Sequence, residues 1–335
     1  MPMTITLPTY TRRTPGFEDV FGVPAPVALR AMDEAGDDLV QGRPGAPIAL
    51  TDVGCRRERL IVQLRDPFDP TQVAPAVCAI TIGTAVPASR RGLHMSRIGD
   101  AVADAVQEVH RDAGALAEWL AERVERTQYG GPTSIDVEAV VPYLERVPDE
   151  GRPGAKQSVE HLVAYGRATT AGGGRTDRGL RVTHIVACPC VQRTAWHARA
   201  ALGVDAALDA PPGFTHAQRC ETTAIVQGAG LPLPMPDVLA ELDQVLCRTM
   251  STLPRASELL LVFRAHRSPQ FVEDAVRAAA GALFRAWPAG APFDAIEVSA
   301  RSLESIHEFD LSATARVTRD EAEQWWAHAP AGADR

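Results

Sequence analysis

The sequence has no long hydrophobic run, since no stretch approaches the ~20 consecutive apolar residues that a transmembrane helix needs. The first residues also lack the apolar stretch of a secretory signal peptide and carry threonine, proline and arginine instead. We therefore expect a cytoplasmic protein with no membrane partner. An excess of positive charge is missing too, because the formal net charge is -8 at pH 7. This balance argues against nucleic acid as a partner, although a few arginines can still bind an anionic small molecule.

Cysteine is scarce, with six in 335 residues. A disulfide framework is not expected in a cytoplasmic chain of this length, so the cysteines are either small buried side chains or ligands and nucleophiles. They are Cys55, Cys78, Cys188, Cys190, Cys220 and Cys247. A dinucleotide-binding loop is also lacking, because Gly172-Gly-Gly174 has neither the required glycine spacing nor the strand–helix setting.

What the sequence does have is a regular succession of periodic segments. Hydrophobic alternation predicts strands over 59–63, 77–82, 161–169, 180–187, 221–227, 295–299 and 306–317. Helical spacing predicts helices within 96–124, with a break near Asp112, and others that begin at Ser134, Pro236 and Pro269. Residues 170–179 are predicted to form a glycine-rich hairpin loop, and 191–214 an insertion.

The order of these segments predicts an α+β fold, with antiparallel sheets covered by helices on one face. It suggests two related β-β-α-α units, although no internal sequence repeat is evident. We assign residues 1–50 to an N-terminal arm of loops, 51–165 to a first unit, 166–325 to a second unit and 326–335 to a tail.

A candidate metal site is formed by Cys188-Pro-Cys190, which follows a predicted strand, together with His216. Thiolate and imidazole are ligands that a borderline-soft ion such as zinc prefers. A catalytic site has three protein ligands and an open position for water, whose pKa the metal lowers. Cys-Pro-Cys is tighter than a usual two-ligand zinc knuckle, so one cysteine would bind and the other pack beside it. On these residues alone, buried structural thiols and a hydrogen-bonded imidazole are the simpler interpretation.

Two further runs have side chains suited to anions and to proton transfer. Arg91-Gly-Leu-His94-Met-Ser-Arg97 stands ahead of a predicted helix, where guanidinium groups and a helix N-terminus both favour phosphate. Glu304-Ser-Ile-His307 places a histidine beside acids, as in general acid–base catalysis. Each run by itself is equally typical of a solvated turn or a surface strand.

Taken in order, five runs resemble the type IB GTP cyclohydrolases and their archaeal relatives. The runs are Arg91 to Arg97, Cys188 to Cys190, His216-Ala-Gln218-Arg219, Phe271-Val-Glu-Asp274 and Glu304 to His307. The resemblance implies a tandem T-fold (tunnelling fold) and a homo-oligomer, dimer or tetramer, with sites at subunit interfaces. It also implies a metal held by Cys188 and His216.

The reaction implied by this resemblance is hydrolytic opening of the imidazole ring of GTP or a related purine nucleotide. Formate would be released, and a dihydroneopterin-type product formed. The metal would be zinc, iron(II) or manganese. Cys188, His216 and His307 would be the catalytic residues, with His307 moving protons. The substrate-binding residues would be Arg91, His94, Arg97, Gln218, Arg219, Phe263 and Glu304, with Arg91, Arg97 and Arg219 on the triphosphate.

The chain departs from that family at two positions that are usually acidic. Arg248 stands where the family has a metal-binding glutamate, and a guanidinium cannot ligate a metal. Phe263 stands where a glutamate grips the guanine edge; a phenyl ring can stack on a base but cannot accept its N–H groups. Cys190, Cys247 and Glu258 are therefore candidates for a third metal ligand. Two alternatives stay open: an enzyme for a different purine or pterin-like substrate, and a non-catalytic paralogue.

Overall fold

The computed structural model describes residues 10–11, 15–35, 41–148, 155–203, 215–228, 234–287 and 293–328. The strands in these ranges are β1 (Leu50–Arg65), β2 (Val73–Val86), β3 (Val109–His110), β4 (Thr133–Pro148), β5 (Ala155–Thr169), β6 (Arg175–Ala187), β7 (Ala217–Gln227), β8 (Cys247–Arg248), β9 (Ala295–Ser302) and β10 (Leu311–Thr318). The helices are α1 (Phe17–Phe21), α2 (Ala25–Ala35), α3 (Met95–Gln107), α4 (Ala113–Thr127), α5 (Pro189–Ala201), α6 (Met235–Val245), α7 (Arg255–Arg267), α8 (Val272–Ala286) and α9 (Arg319–His328). Within the same ranges, no helix is long and apolar enough to cross a membrane.

The strands form one sheet in the order β10-β9-β7-β6-β5-β4-β2-β1-β3, with β8 paired to β6. All neighbours are antiparallel except β1 and β3. Buried residues are register partners across the sheet, for example Val141 with Leu162 and Leu180 with Ala224, so the packed side chains share one face. Helices cover this face, which confirms the predicted α+β fold.

Two hydrophobic cores lie under the helices. In the first, Leu116, Leu120 and Val124 of α4 recur at helical spacing and are fully buried against β4. Asp112 starts this helix by accepting a hydrogen bond from the backbone N–H of Ala115 at 2.7 Å, which confirms the predicted break. The second core packs α6 and α8 on β6, β7 and β9 and includes Leu242.

The helix expected after Ser134 is wrong, because this segment is strand β4. Ile135, Val137 and Val141 are buried at alternating positions, and period two places them all on the helix-covered face of the sheet. Helices α1 and α2 stand in the arm that was expected to be loops, and α5 occupies the start of the expected insertion. Residues 204–214 of that insertion lie outside the described ranges.

The boundary between the two units was placed between residues 165 and 166, which fall inside β5. This division stays a prediction. Strand β5 pairs with β4 along its whole length and with β6 over Val163–Thr169, so it joins the two halves of the sheet.

Gly166 of β5 lies directly beneath the start of α4. A Cβ atom there would lie 2.1 Å from the carbonyl oxygen of Ala113, which is backbone and cannot yield without moving α4. We expect Gly166→Ala to lower the free energy of unfolding by about 3 kcal/mol. Gly99→Ala in α3 is the matched control, because a Cβ there meets nothing within 4 Å and alanine favours a helix. Urea denaturation compares the two, and equal midpoints would contradict the packing argument.

Candidate active site

Cys188 and His216 are brought together at one end of the strands, where β6 ends and β7 begins; we call this end of the strands an edge of the sheet. Ala187 closes β6 and pairs with Ala217, the first residue of β7. The N–H of Cys188 then donates to the carbonyl of His216 at 3.1 Å, and Thr215 Oγ1 donates to the carbonyl of Cys188 at 2.7 Å. Cys188 is the half-buried N-cap of α5, with Pro189 as the first helical residue. The two candidate ligands, 28 residues apart in sequence, are therefore neighbours by backbone pairing.

The imidazole of His216 is oriented by polar neighbours. Its Nδ1 lies 2.9 Å from Oε1 of Gln218 and 3.2 Å from Oγ of Ser305. Because an amide oxygen only accepts, Nδ1 is the donor in this contact, and in a neutral ring Nε2 is the nitrogen left to bind a metal. A histidine that ligates a metal usually has this arrangement, with its second nitrogen donating to an outer partner.

Residues 304–307, which follow β9, complete this group of polar side chains. Nε2 of Gln218 donates to Oε1 of Glu304 at 3.1 Å, and the hydroxyl of Ser302 donates to the same oxygen at 2.7 Å. The ring of His307 meets that of His216 edge-on, with centroids 6.4 Å apart, and is itself exposed. We call Cys188, His216, Gln218, Glu304 and His307 the edge cluster.

Only part of a metal site is present in the edge cluster. Cys188 and His216 fit as ligands by their chemistry and by the hydrogen bond that orients His216, but the described ranges contain no group of three His, Cys, Asp or Glu side chains that could hold a metal. Cys190 and Glu258 are exposed, on α5 and α7. Cys247 is buried in β8, where desolvation raises the pKa of its thiol. None of these three residues forms a ready-made set with Cys188 and His216.

Arg219 and Gln218 are consecutive residues of β7, so their side chains point to opposite faces of the sheet. Gln218 lies in the edge cluster, whereas Arg219 is exposed on the other side. The structure therefore separates two residues that the sequence placed together.

The arginine run lies at the opposite edge of the sheet. It follows the end of β2, and register partners lead from Gly83 of β2 to Ser134 of β4, to Thr169 of β5 and to Arg175, the first residue of β6. Cys188 follows the other end of β6, a 13-residue strand, so the two edges are roughly 40 Å apart. One chain does not bring the Arg91 run and Cys188 into one site.

Two members of that run are tied to the end of α4. His94 is buried, and its backbone N–H and carbonyl both pair with the side-chain amide of Gln128, at 3.1 Å each. Arg97 Nη1 donates to the carbonyl of Thr127 at 2.8 Å. Arg91 is exposed. Among the three residues, Arg91 thus has its side chain most available to a ligand.

Arg248, at the position that is acidic in the resembled family, is the centre of a buried ion-pair cluster. Its guanidinium donates to both carboxylate oxygens of Glu145 at 2.8 and 2.9 Å, to both of Asp243 at 2.8 and 2.9 Å, and to the hydroxyl of Tyr143 at 2.8 Å. The Arg248 side chain is only 11% exposed. Burial alone would raise the pKa of Glu145, but hydrogen bonds and the charge of Arg248 lower it. We call these four residues the Arg248 cluster.

Phe263 lies on α7 and is half-buried. Helix α7 contacts α5, because Nε2 of Gln192 in α5 donates to the carbonyl of His266 at 2.7 Å. Phe263 therefore belongs to a helix that is hydrogen-bonded to α5, the helix that Cys188 caps.

The chain thus combines a helix-backed antiparallel sheet of the α+β class with a thiol, an imidazole and a carboxylate at one end of its strands. The chain belongs to the type I GTP cyclohydrolase folE2 family, whose model matches residues 37–313. It is an enzyme of the GTP cyclohydrolase class, and the resemblance to GTP cyclohydrolases is confirmed at that level; the type IB subdivision stays a prediction.

Among curated relatives, GTP cyclohydrolase MptA of Haloarcula marismortui is 27% identical over 314 residues, covering 88% of this chain and 98% of the relative. The protein of the same name from Thermoplasma acidophilum is 27% identical over 311 residues, covering 87% and 98%. Among solved structures, a uricase from Bacillus fastidious is similar with a TM-score of 0.45 and 8% identity, covering 86% of this chain and 98% of that one.

Proposed function

We propose that the protein opens the imidazole ring of GTP and releases formate at the edge cluster. The observation that carries this proposal is the convergence of three remote runs on one sheet edge, through the Cys188–His216 backbone pair and the Gln218–Glu304 hydrogen bond. Membership of the family and the activity named for the relatives supply the substrate.

Cys188 and His216 would hold a divalent metal, which would supply Lewis acidity and a water of lowered pKa. Zinc, iron(II) and manganese all suit these donors. Gln218 and Ser305 fix the imidazole plane of His216, so its Nε2 is presented in a constant direction. Glu304 in turn holds the amide of Gln218 and determines which way that amide points.

His307 is the side chain of the edge cluster best placed to move protons. Ring opening requires a proton to leave the attacking water and a proton to reach a ring nitrogen as the C–N bond breaks. An imidazole can accept one proton and donate another near neutral pH. His307 is exposed, packs on Phe309 and stands beside His216, so it can meet a bound purine. Ring opening leaves a formamide, and a second water must hydrolyse its C–N bond to release formate. Rearrangement of the ribose and ring closure with loss of water would then give a dihydroneopterin-type product.

A homo-oligomer belongs to this proposal. If the Arg91 run serves the same site, it must come from another copy of the chain, because the two edges of one sheet are too far apart. A dimer or tetramer with sites between subunits meets that requirement.

The test is anaerobic incubation of the metal-reconstituted protein with GTP, with formate and pterin fluorescence read together. Both signals are expected. Formate without fluorescence would support ring opening but contradict the proposed product. The absence of both signals, in a protein that holds stoichiometric metal, would contradict GTP as the substrate. It would favour another purine nucleotide, which the apolar Phe263 in place of an acid already makes the second candidate.

Gln218 offers a test of the metal ligands that does not depend on turnover. Gln218→Leu removes the acceptor that orients His216, and we expect about 10- to 100-fold weaker metal binding. Gln227→Leu is the matched control, since this glutamine ends the same strand at the opposite edge and binds Glu297 and Arg316. Competition with a chromophoric chelator measures both affinities. Equal losses in the two variants would contradict a specific role for Gln218.

A further inference from the structure

Residues 303–310 connect β9 to β10 and carry two members of the edge cluster, Glu304 and His307. The tip of this segment is exposed, including Ile306, His307 and Phe309. A surface loop without regular structure usually samples several conformations, whereas catalytic side chains need a nearly constant geometry. The geometry of the site therefore depends on contacts that hold this segment, which we call the 303–310 loop.

Asp310 ties the two ends of the 303–310 loop together. Its Oδ2 accepts hydrogen bonds from Nε and Nη2 of Arg301, near the end of β9, at 3.1 and 2.7 Å. Its Oδ1 accepts from the backbone N–H of Glu304 at 3.3 Å. The N–H of Leu303 donates to the carbonyl of Arg219 on β7 at 2.8 Å, which fixes the start of the loop to the sheet. Through one carboxylate, the end of the loop is thus held against an anchored beginning.

Phe309 restrains the ring of His307. The phenyl ring stacks on the imidazole with centroids 5.8 Å apart and planes inclined by 13°. The same imidazole meets His216 edge-on, with the planes at 86°. Stacking of this kind favours one orientation of the ring plane. Because Phe309 is 66% exposed, it adds little to a hydrophobic core, and its main contact in the loop is this stack.

The 303–310 loop also reaches the candidate metal ligand. Oγ of Ser305 lies 3.2 Å from Nδ1 of His216 and 3.5 Å from Oε1 of Gln218. Glu304 accepts a hydrogen bond from the amide of Gln218, which orients His216. A shift of the loop would therefore move Glu304, Ser305 and His307 together, and with them the whole polar surroundings of the His216 imidazole.

We propose that Asp310 and Phe309 are positioning residues of the edge cluster. Asp310 fixes the path of the 303–310 loop, and Phe309 fixes the ring plane of His307. Their part in turnover rests on the proposed function, in which His307 moves protons. Proton transfer requires an imidazole within hydrogen-bond reach of the reacting group, so a freely turning ring would be correctly placed for only part of the time. Both residues act through His307 rather than on the substrate.

The first test is an NMR spectrum of the full-length protein with isotope-labelled histidine, recorded without GTP. The Hε1 resonance of His307 is the one that disappears in His307→Gln. A stacked phenyl ring imposes a ring-current shift on this resonance, so Phe309→Leu is expected to change it, and Asp310→Ala is expected to change it by moving the loop. Phe21→Leu is the control, because Phe21 is equally exposed, at 66%, but lies in α1 outside the edge cluster.

The second test is formate release from GTP, with kcat and KM determined separately and kcat expressed per bound metal. Phe309→Leu and Asp310→Ala are each expected to lower kcat about ten-fold and to leave KM within about two-fold. Asp310→Asn keeps an acceptor oxygen and is expected to recover part of the loss. Asp104→Ala is the control, because Asp104 accepts from a surface arginine, Arg123, at the same distance of 2.7 Å but on α3. Its kcat is expected to remain unchanged.

An unchanged His307 resonance in Phe309→Leu would overturn the proposal for Phe309, as would a changed resonance with an unchanged kcat. Loss of folded protein or of metal in Asp310→Ala, with kcat per bound metal unchanged, would show a purely structural role and overturn the proposal for Asp310. An unmodified protein that releases no formate would refute the proposed reaction instead. In that case the NMR comparison would still decide whether the two residues hold His307 in place.

Discussion

Replacing Cys188 by serine is expected to reduce formate release from GTP by about 10³-fold. A thiolate is a strong ligand for a borderline-soft metal, whereas a serine hydroxyl remains neutral and is a poor one. The backbone hydrogen bond between Cys188 and His216 does not involve the side chain, so the serine variant keeps the local fold. Formate kinetics and metal content by atomic emission are to be measured on the same preparation.

Cys190→Ser is the control for that experiment. Cys190 lies two residues further along the chain, on the first turn of α5, and its side chain is exposed to solvent. We expect it to retain metal and turnover near those of the unmodified protein. Equal loss in both serine variants, or retention of metal and activity by Cys188→Ser, would contradict the assignment of Cys188 as a ligand.

Glu145→Ala is expected to lower the free energy of unfolding by about 3 kcal/mol. The substitution removes one of the two carboxylates that hold the Arg248 guanidinium, which is only 11% exposed. Asp243 remains as a partner, so the loss is placed at the lower end of the range for breaking a buried pair. Urea denaturation at pH 7 measures the change.

The control is Asp136→Ala, which removes the partner of Arg167. Both side chains of that pair are about half exposed, at 45% and 49%, and the expected loss is below about 0.5 kcal/mol. Losses of similar size in the two variants would mean that the Arg248 cluster contributes no more than a surface pair.

The stabilisation that Glu145 contributes depends on pH in a defined direction. The pKa of Glu145 is lowered below its ordinary value of 4.5, so the folded state favours the ionised carboxylate. The resulting stabilisation is fully present above pH 4.5 and is lost as the pH falls through the lowered pKa. The difference in stability between the unmodified protein and Glu145→Gln should therefore shrink on acidification below that value.

Much of the fold could be predicted because local signals agreed with the final packing. Asp112 breaks the helical region in the sequence, and it caps α4 in the structure. Segment 133–148 was misjudged because Ser134 resembles a helix cap and Val140 and Leu144 fit helical spacing. Strand pairing on both sides of β4 decides that segment, and such pairing is invisible in a local window.

The candidate site could be predicted in its members but not in its arrangement. The sequence identified Cys188, His216 and Glu304, which do meet at one edge. It grouped Arg219 with Gln218, although strand alternation puts their side chains on opposite faces. It also marked Arg248 as unusual without finding Glu145, because the two are 103 residues apart and meet only through the tertiary fold.

The Arg248 cluster also limits which side chains position 248 can hold. An acidic residue there would stand beside Glu145 and Asp243, and three carboxylates without a cation cannot all remain ionised in a half-buried space. A single Arg248→Glu substitution would therefore be strongly disfavoured. Replacing one of the two carboxylates first would leave the guanidinium short of a partner, so each of the three residues is constrained by the other two.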